Sequence, residues 1–448
     1  LLRREVPLGA GETHPLALRH QAPLALRGGT VVDATGSRRA DVLVVDGTIA
    51  SIGPELGELP EGTVVLDSTG AIVAPGLVDL HTHMREPGRE EAETIETAAR
   101  AAALGGYTAV VAMPNTEPAI DDVSVAAHVL ALGRRTICDV HVAGAITVGR
   151  AGRQLVPFAE LAALGIRMYT DDGTGVQDGL LMRRALEYAS GLGLLLAQHC
   201  EDTSLAAGGQ MHEGEWSSRL GLPGQPSEAE SVMVQRDLAL VRLTGAPMHF
   251  LHLSTTESLG AVREAKAAGL AVTAEAAPHH FTLTHAAVAD FDSVFKVNPP
   301  LRTDADVAAV RGALGDGTLD AIATDHAPHT QEAKELPFDQ APPGMLGLET
   351  ALALSITELA LPLTRLLALL SWQPAAIAGI GDHHGGPVAV GRVANLCVVD
   401  PHERWTVDPA ALASRSRNTP FAGRQLTGRT RHTILRGEPV VVAGQAQR

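Results

Sequence analysis

The chain has 448 residues, and its 45% hydrophobic content is enough to build one large domain plus a smaller one around a sizeable core. Its 35 Lys+Arg against 51 Asp+Glu leave a formal charge of −16, which repels phosphate backbones and anionic lipid and argues against nucleic-acid and membrane partners. Cys138, Cys200 and Cys397 are widely spaced and form no CxxC pair, so neither a disulfide framework nor a cysteine zinc site is indicated.

Residues 1–16 carry Arg3, Arg4, Glu5 and Glu12 and lack an apolar signal core, and a cytoplasmic location is expected. Residues 24–66 alternate short β-rich pieces with Gly, Asp and Pro turns, the pattern of a small all-β unit. The same texture returns at residues 394–400 and 431–442, so both chain ends are expected to build one β-sandwich. Between them, apolar strands are expected at 76–81, 108–113, 140–145, 165–170, 194–199, 248–252, 271–276 and 321–325. Helices are expected at 91–104, 180–190, 228–243 and 258–268, and the apolar stretch 351–370 reads as a buried helix rather than a bilayer span. About eight β/α units in about 300 residues is the count and length of a (β/α)8 barrel. A doubly wound sheet ranks second, because no Gly-x-Gly-x-x-Gly opens a helix after the first strand. The expected division is an N-terminal extension over 1–23, sandwich over 24–74, barrel over 75–382 and sandwich again over 383–448.

The first barrel strand runs into His81-Thr-His83. Side chains at i and i+2 of an extended segment share a face, so both imidazoles can reach one cation, for which zinc is the expected ion. Later strand ends carry Asp171 and Asp172, His199, His252 and Asp325. In a barrel, chemistry collects at those carboxyl ends, and five strands contributing imidazole or carboxylate at the same relative position point to a shared metal site. His141, His249 and His326 read as structural.

These residues fall in longer runs: His81-Thr-His-Met-Arg-Glu-Pro-Gly88, Met113-Pro-Asn-Thr116, Thr170-Asp-Asp-Gly173, His199-Cys-Glu-Asp202, His252-Leu-Ser-Thr255, Pro278-His-His280, Asn298-Pro-Pro-Leu-Arg302 and Asp325-His-Ala-Pro-His329. With them the chain resembles the amidohydrolase superfamily and, more narrowly, the class I dihydroorotases, from about residue 24 onward. Within that superfamily, hydantoinases, dihydropyrimidinases and many allantoinases bridge two metals with a carboxylated lysine. The only lysines here are Lys266, Lys296 and Lys334, none of them between His83 and His199. The resemblance puts Asp172 in that place, with Asp171 supporting the turn.

The resemblance further implies two zinc ions per subunit, one on His81, His83 and Asp325, the other on His199 and His252, with Asp172 touching both and a zinc-held hydroxide as nucleophile. Asp325 would be the general acid and base. His83, Arg85, Asn115, Asn298, His329 and the backbone at Pro343 and Gly344 would contact the substrate, Arg85 offering a fork to a carboxylate. Residues 330–344 are polar and Pro-rich and read as a mobile lid. The implied reaction is reversible cyclisation of N-carbamoyl-L-aspartate to dihydroorotate in pyrimidine biosynthesis, by a homodimer able to associate with aspartate transcarbamoylase. Allantoinase or another cyclic amidase, and an inactive scaffold partner of the transcarbamoylase, are the alternatives; the scaffold would be expected to have lost ligands that this chain retains.

Overall fold

The computed structural model describes residues 22–448, so the extension expected over 1–23 lies, through residue 21, outside the described residues. The β-branched texture at the two chain ends folds into two sheets. One runs Thr48–Gly53, Asp41–Val45, Leu24–Arg27, Val64–Asp67. The other runs Gln445–Ala446, Glu438–Val442, Gln425–Leu435, Leu396–Thr406, Ile72–Pro75, Thr30–Asp33, Gly36–Arg39. Val73 pairs with Val398 on one side and Val31 on the other, joining the chain ends in one ladder. Alternation sends Leu24, Leu26, Val42 and Val44 into the same buried cluster as Val31, Leu396, Val398 and Ile434. Each such side chain contributes about 1.5–3 kcal/mol on full burial, so the sandwich needs residues from both ends.

Immediately after Pro75 the chain enters an eight-stranded parallel barrel. Its strands, first to eighth, are Leu77–Thr82, Tyr107–Ala112, Asp139–Val142, Met168–Tyr169, Leu195–Gln198, Met248–Phe250, Val272–Ala276 and Ala321–Ile322. Strands one to three and four to eight pair in order, and parallel bridges Gly144↔Tyr169 and Thr82↔His326 close the ring. A helix follows every strand. The first, Ile95–Gly105, is capped by Thr94, whose hydroxyl accepts from the Thr97 amide at 3.2 Å, and stops at Gly106 with φ 96°. Beyond Ile95 its buried face is all small (Ala98, Ala99, Ala101, Ala102, Ala103 and Gly105), which lets the helix lie close on the strands. No helix among the described residues is long and apolar enough to cross a membrane.

Three expectations are corrected. Strand four is two residues long rather than 165–170, because Gly165 turns at φ 91° after the helix Phe158–Ala162. Strand eight ends at Ile322 rather than 325, since Asp325 itself adopts φ 47°. The stretch 351–370 is not one helix: it divides into Ala351–Glu358, Leu363–Leu367 and a π-turn over Ala368–Trp372. Pro362 lacks an N–H and pushes the residue before it out of helical conformation.

The barrel centre is filled by Leu80, Val111, Ala143, Met168, Ala197, Leu251 and Ala323, drawn from every strand or strand end but the seventh. In the seventh, Val272, Ala274 and Ala276 pack outward in the main core, so alternation turns Thr273 and Glu275 inward.

Candidate metal centre and substrate cleft

His81 is the penultimate residue of the first strand, His83 lies just beyond it, and Asp172, His199, His252 and Asp325 follow the fourth, fifth, sixth and eighth strands. The barrel gathers all six at its carboxyl-end rim. Asp172 is the hub: its Oδ1 lies 3.4 Å from His81 Nε2, 3.5 Å from His199 Nδ1 and 3.6 Å from His252 Nε2, and its Oδ2 lies 3.6 Å from His83 Nε2. Asp325 Oδ1 stands 3.2 Å from His83 Nε2 and 3.5 Å from His81 Nε2, and His199 Nδ1 is 2.9 Å from His252 Nε2. Ligands bonded to zinc at about 2.0–2.1 Å in a tetrahedron stand about 3.3 Å apart, which is the spacing of most of these pairs. Buried His81 Nε2 and Asp172 Oδ1 have no hydrogen-bond partner, although both face the cluster. Such polar atoms are costly to bury without a partner, and the donor set therefore fits a divalent metal.

The charges agree. Burial opposes ionisation, yet Asp172 and Asp325 hold His81 well above the ordinary imidazole range. Despite the same burial, Asp172 and Glu201 push His199 up to about 10. Asp172 and Asp325, buried beside these imidazoles, are held below the usual carboxylate range. Burial holds His83 below the ordinary imidazole range, so it is at His81 and His199 that the carboxylates draw protons, and cations would relieve that negative charge directly. Backbone geometry is also unusual here: Arg85, His252 and Asp325 adopt φ of 61°, 33° and 47°. Non-glycine residues at such angles cost about 1–3 kcal/mol each and persist where the surroundings hold them.

A cleft opens over the cluster, and His83, Arg85, Asn115, Asn298, His329, Pro343 and Gly344 all line it. Asn115 Oδ1 sits 2.9 Å from His83 Nδ1, while Asn298 Nδ2 donates to Glu201 at 2.7 Å and so leaves its own Oδ1 free. Arg85 is buried and donates from Nε to the Pro328 carbonyl at 3.0 Å. His329 Nε2 donates to the Pro343 carbonyl at 2.8 Å, which leaves Nδ1 as its available ring atom. Gly344, at φ 140°, has no room for a side chain: a Cβ would lie 2.8 Å from both Ala327 Cβ and His329 Nε2. Asp171 points away from the cluster. Its Oδ1 accepts from the amides of Ile146 and Thr147 at 2.8 and 3.0 Å, fixing the loop that presents Asp172.

Residues 330–344 are pinned as the structure stands. Lys334, in the short helix Gln331–Lys334, is buried and donates to the carbonyls of Pro342 at 3.0 Å and Gly344 at 3.1 Å. Burial, with Lys296 nearby, lowers its pKa from 10.5 to about 7. The unfolded chain then binds the extra proton between those values, so this lysine makes stability rise with pH from about 7 to 10. The melting temperature of wild type relative to Lys334→Met should climb over that window in thermal scans. A constant difference would show the lysine charged throughout.

Sequence reasoning overlooked Asn418. It comes from the C-terminal segment, yet its side chain donates to the carbonyls of Ala327 and Gly344 at 3.0 and 3.1 Å and accepts from the His329 amide at 3.2 Å. Nothing local in its sequence marks this long-range role. Glu201 and Glu275 were also missed, though an acidic residue inside the apolar seventh strand was a readable signal for Glu275.

Fold and donor set together define a metal-dependent amidohydrolase. The dihydro-orotase-like family pattern matches residues 70–258. The dihydroorotase of Pelotomaculum thermopropionicum is 48% identical over 424 residues, spanning 93% of this chain and 98% of that protein. The dihydroorotase of Mycobacterium tuberculosis is 49% identical over 412 residues, spanning 89% and 94%. Among solved structures, the D-hydantoinase of Thermus sp. superposes with a TM-score of 0.80 at 27% identity, covering 94% of this chain and 96% of its own. The L-hydantoinase of Arthrobacter aurescens, at 24% identity and TM-score 0.84 over 95% and 97%, shares the fold. The chain belongs to the dihydroorotase family.

Proposed function

We propose that the chain interconverts N-carbamoyl-L-aspartate and (S)-dihydroorotate, the ring-closing step of UMP biosynthesis, using two zinc ions. The observation that carries this reading is one cleft holding both the Asp172-centred donor cluster and the buried Arg85 guanidinium. His81, His83 and Asp325 would hold one ion, His199 and His252 the other, and Asp172 would be shared. When bound, the metals supply Lewis acidity that polarises the reacting carbonyl and lowers the proton affinity of the attacking water.

The protein's own groups do the rest. Asp325 takes the proton as water adds to the ring amide and delivers it to the departing nitrogen. In the reverse direction the carbamoyl nitrogen attacks the side-chain carboxyl group, Asp325 returns the proton, and water leaves. Arg85, with Nε tied to Pro328, presents the outer edge of its fork to the carboxylate that is not reacting. Asn298 Oδ1 is oriented by Glu201 to accept a substrate N–H, and the Pro343–Gly344 backbone borders the ring.

Comparing dihydroorotate with hydantoin and allantoin tests this. Dihydroorotate should be far the best substrate, and equal turnover of the neutral rings would favour another cyclic amidase. Arg85→Lys keeps the charge but loses the fork. It should raise KM for dihydroorotate with a smaller change in kcat, and leave the slow turnover of neutral rings nearly unaltered. A pure kcat loss would remove Arg85 from binding.

A further inference from the structure

Beneath the donor cluster, inside the barrel, lies a buried polar chain that the reaction does not touch. Glu275 is fully buried; its Oε1 is 3.1 Å from His81 Nδ1 and its Oε2 is 3.0 Å from His249 Nε2. His249 Nδ1 in turn lies 2.8 Å from Thr273 Oγ1. Among the described residues these two imidazoles are the side-chain partners of the Glu275 carboxylate.

An ionised carboxylate only accepts hydrogen bonds, so each imidazole must turn an N–H toward it. His81 is then protonated at Nδ1, and its Nε2, free of other partners, faces Asp172 and Asp325. His249 is protonated at Nε2, and its Nδ1 accepts from the Thr273 hydroxyl. With both rings as neutral tautomers, every bond from Thr273 to His81 then runs one way. Burying a carboxylate among apolar strands is costly, and an apolar residue would fill the same space without that cost. What the apolar residue could not do is choose the tautomer of His81.

We propose that Glu275, braced by His249 and Thr273, is a positioning residue that holds His81 in the ring orientation and tautomer needed to bind the metal through Nε2. This rests on the reading of His81 as a ligand. Partners of this kind typically change metal affinity by about 10- to 100-fold.

The experiment is zinc affinity by chelator competition, with elemental analysis and thermal stability on the same samples, for wild type, His81→Ala, Glu275→Leu, Glu275→Gln, Thr273→Val and the Glu275→Gln/Thr273→Val double variant. Glu275→Leu should weaken binding of one of the two ions by about 10- to 100-fold. Glu275→Gln should be milder, because its carbonyl still accepts from His81 while His249 switches tautomer and donates from Nδ1 to Thr273. Removing the Thr273 hydroxyl denies His249 that acceptor. The double variant should therefore lose more affinity than the two single changes combined.

If His81→Ala binds zinc like wild type, the ligand reading itself is wrong. If His81→Ala loses an ion while both Glu275 variants keep wild-type affinity, the positioning role is overturned and the ligand reading survives. Lowered stability of the Glu275 variants with unchanged affinity would assign Glu275 to packing alone and overturn the proposal equally.

Discussion

Asp172→Ala should strip one or both metals and abolish activity. One Asp172 oxygen stands within reach of three imidazole nitrogens and the other near a fourth, so no neighbour can replace it. Asp171→Ala is the control, since that side chain contacts the loop at Ile146 and Thr147 and not the cluster. It should cost about 1–3 kcal/mol of stability through unsatisfied amides while retaining metal. The chain has no lysine between His83 and His199, so activity should also be independent of added bicarbonate. Metal loss in Asp171→Ala, or stimulation by bicarbonate, would move the bridge away from Asp172.

Asp325→Asn should lower kcat by about 10²- to 10⁴-fold, the usual worth of a positioned general acid and base. The side chain keeps its shape and one oxygen, but the amide cannot accept and return the proton. Asp325 Oδ1 also lies against His81 and His83, so part of the loss could come through the metal. Metal content measured on the assayed sample separates the two: a variant with full metal and a depressed rate isolates the proton transfer. A variant with full metal and a wild-type rate would take Asp325 out of the chemistry.

The fold was legible because its signals are periodic and repeated. Strand ends carrying His81, His199 and His252 could be placed from apolar runs alone, and the β texture at both termini announced a shared sandwich. Short strands were harder. The left-handed turns at Gly165 and Asp325 cut strands four and eight in ways that hydropathy does not encode. Ligand candidates were readable because each sits at the end of such a run, but the choice of Asp172 over Asp171 came from resemblance. The geometry gives the physical difference, since one carboxylate faces imidazoles and the other faces amides. Asn418 stayed invisible because its contacts are to backbone atoms brought near only by the completed barrel, and Lys334 because a polar loop does not announce which of its own carbonyls its lysine will reach.

Anomalous diffraction at the zinc edge, from crystals soaked with dihydroorotate, tests the account most directly. Two peaks should flank the Asp172 carboxylate, one beside His81, His83 and Asp325 and the other beside His199 and His252, with the ligand carboxylate on Arg85. A fully active enzyme whose crystals show no metal peak at Asp172, or whose ligand carboxylate lies away from Arg85, would contradict it.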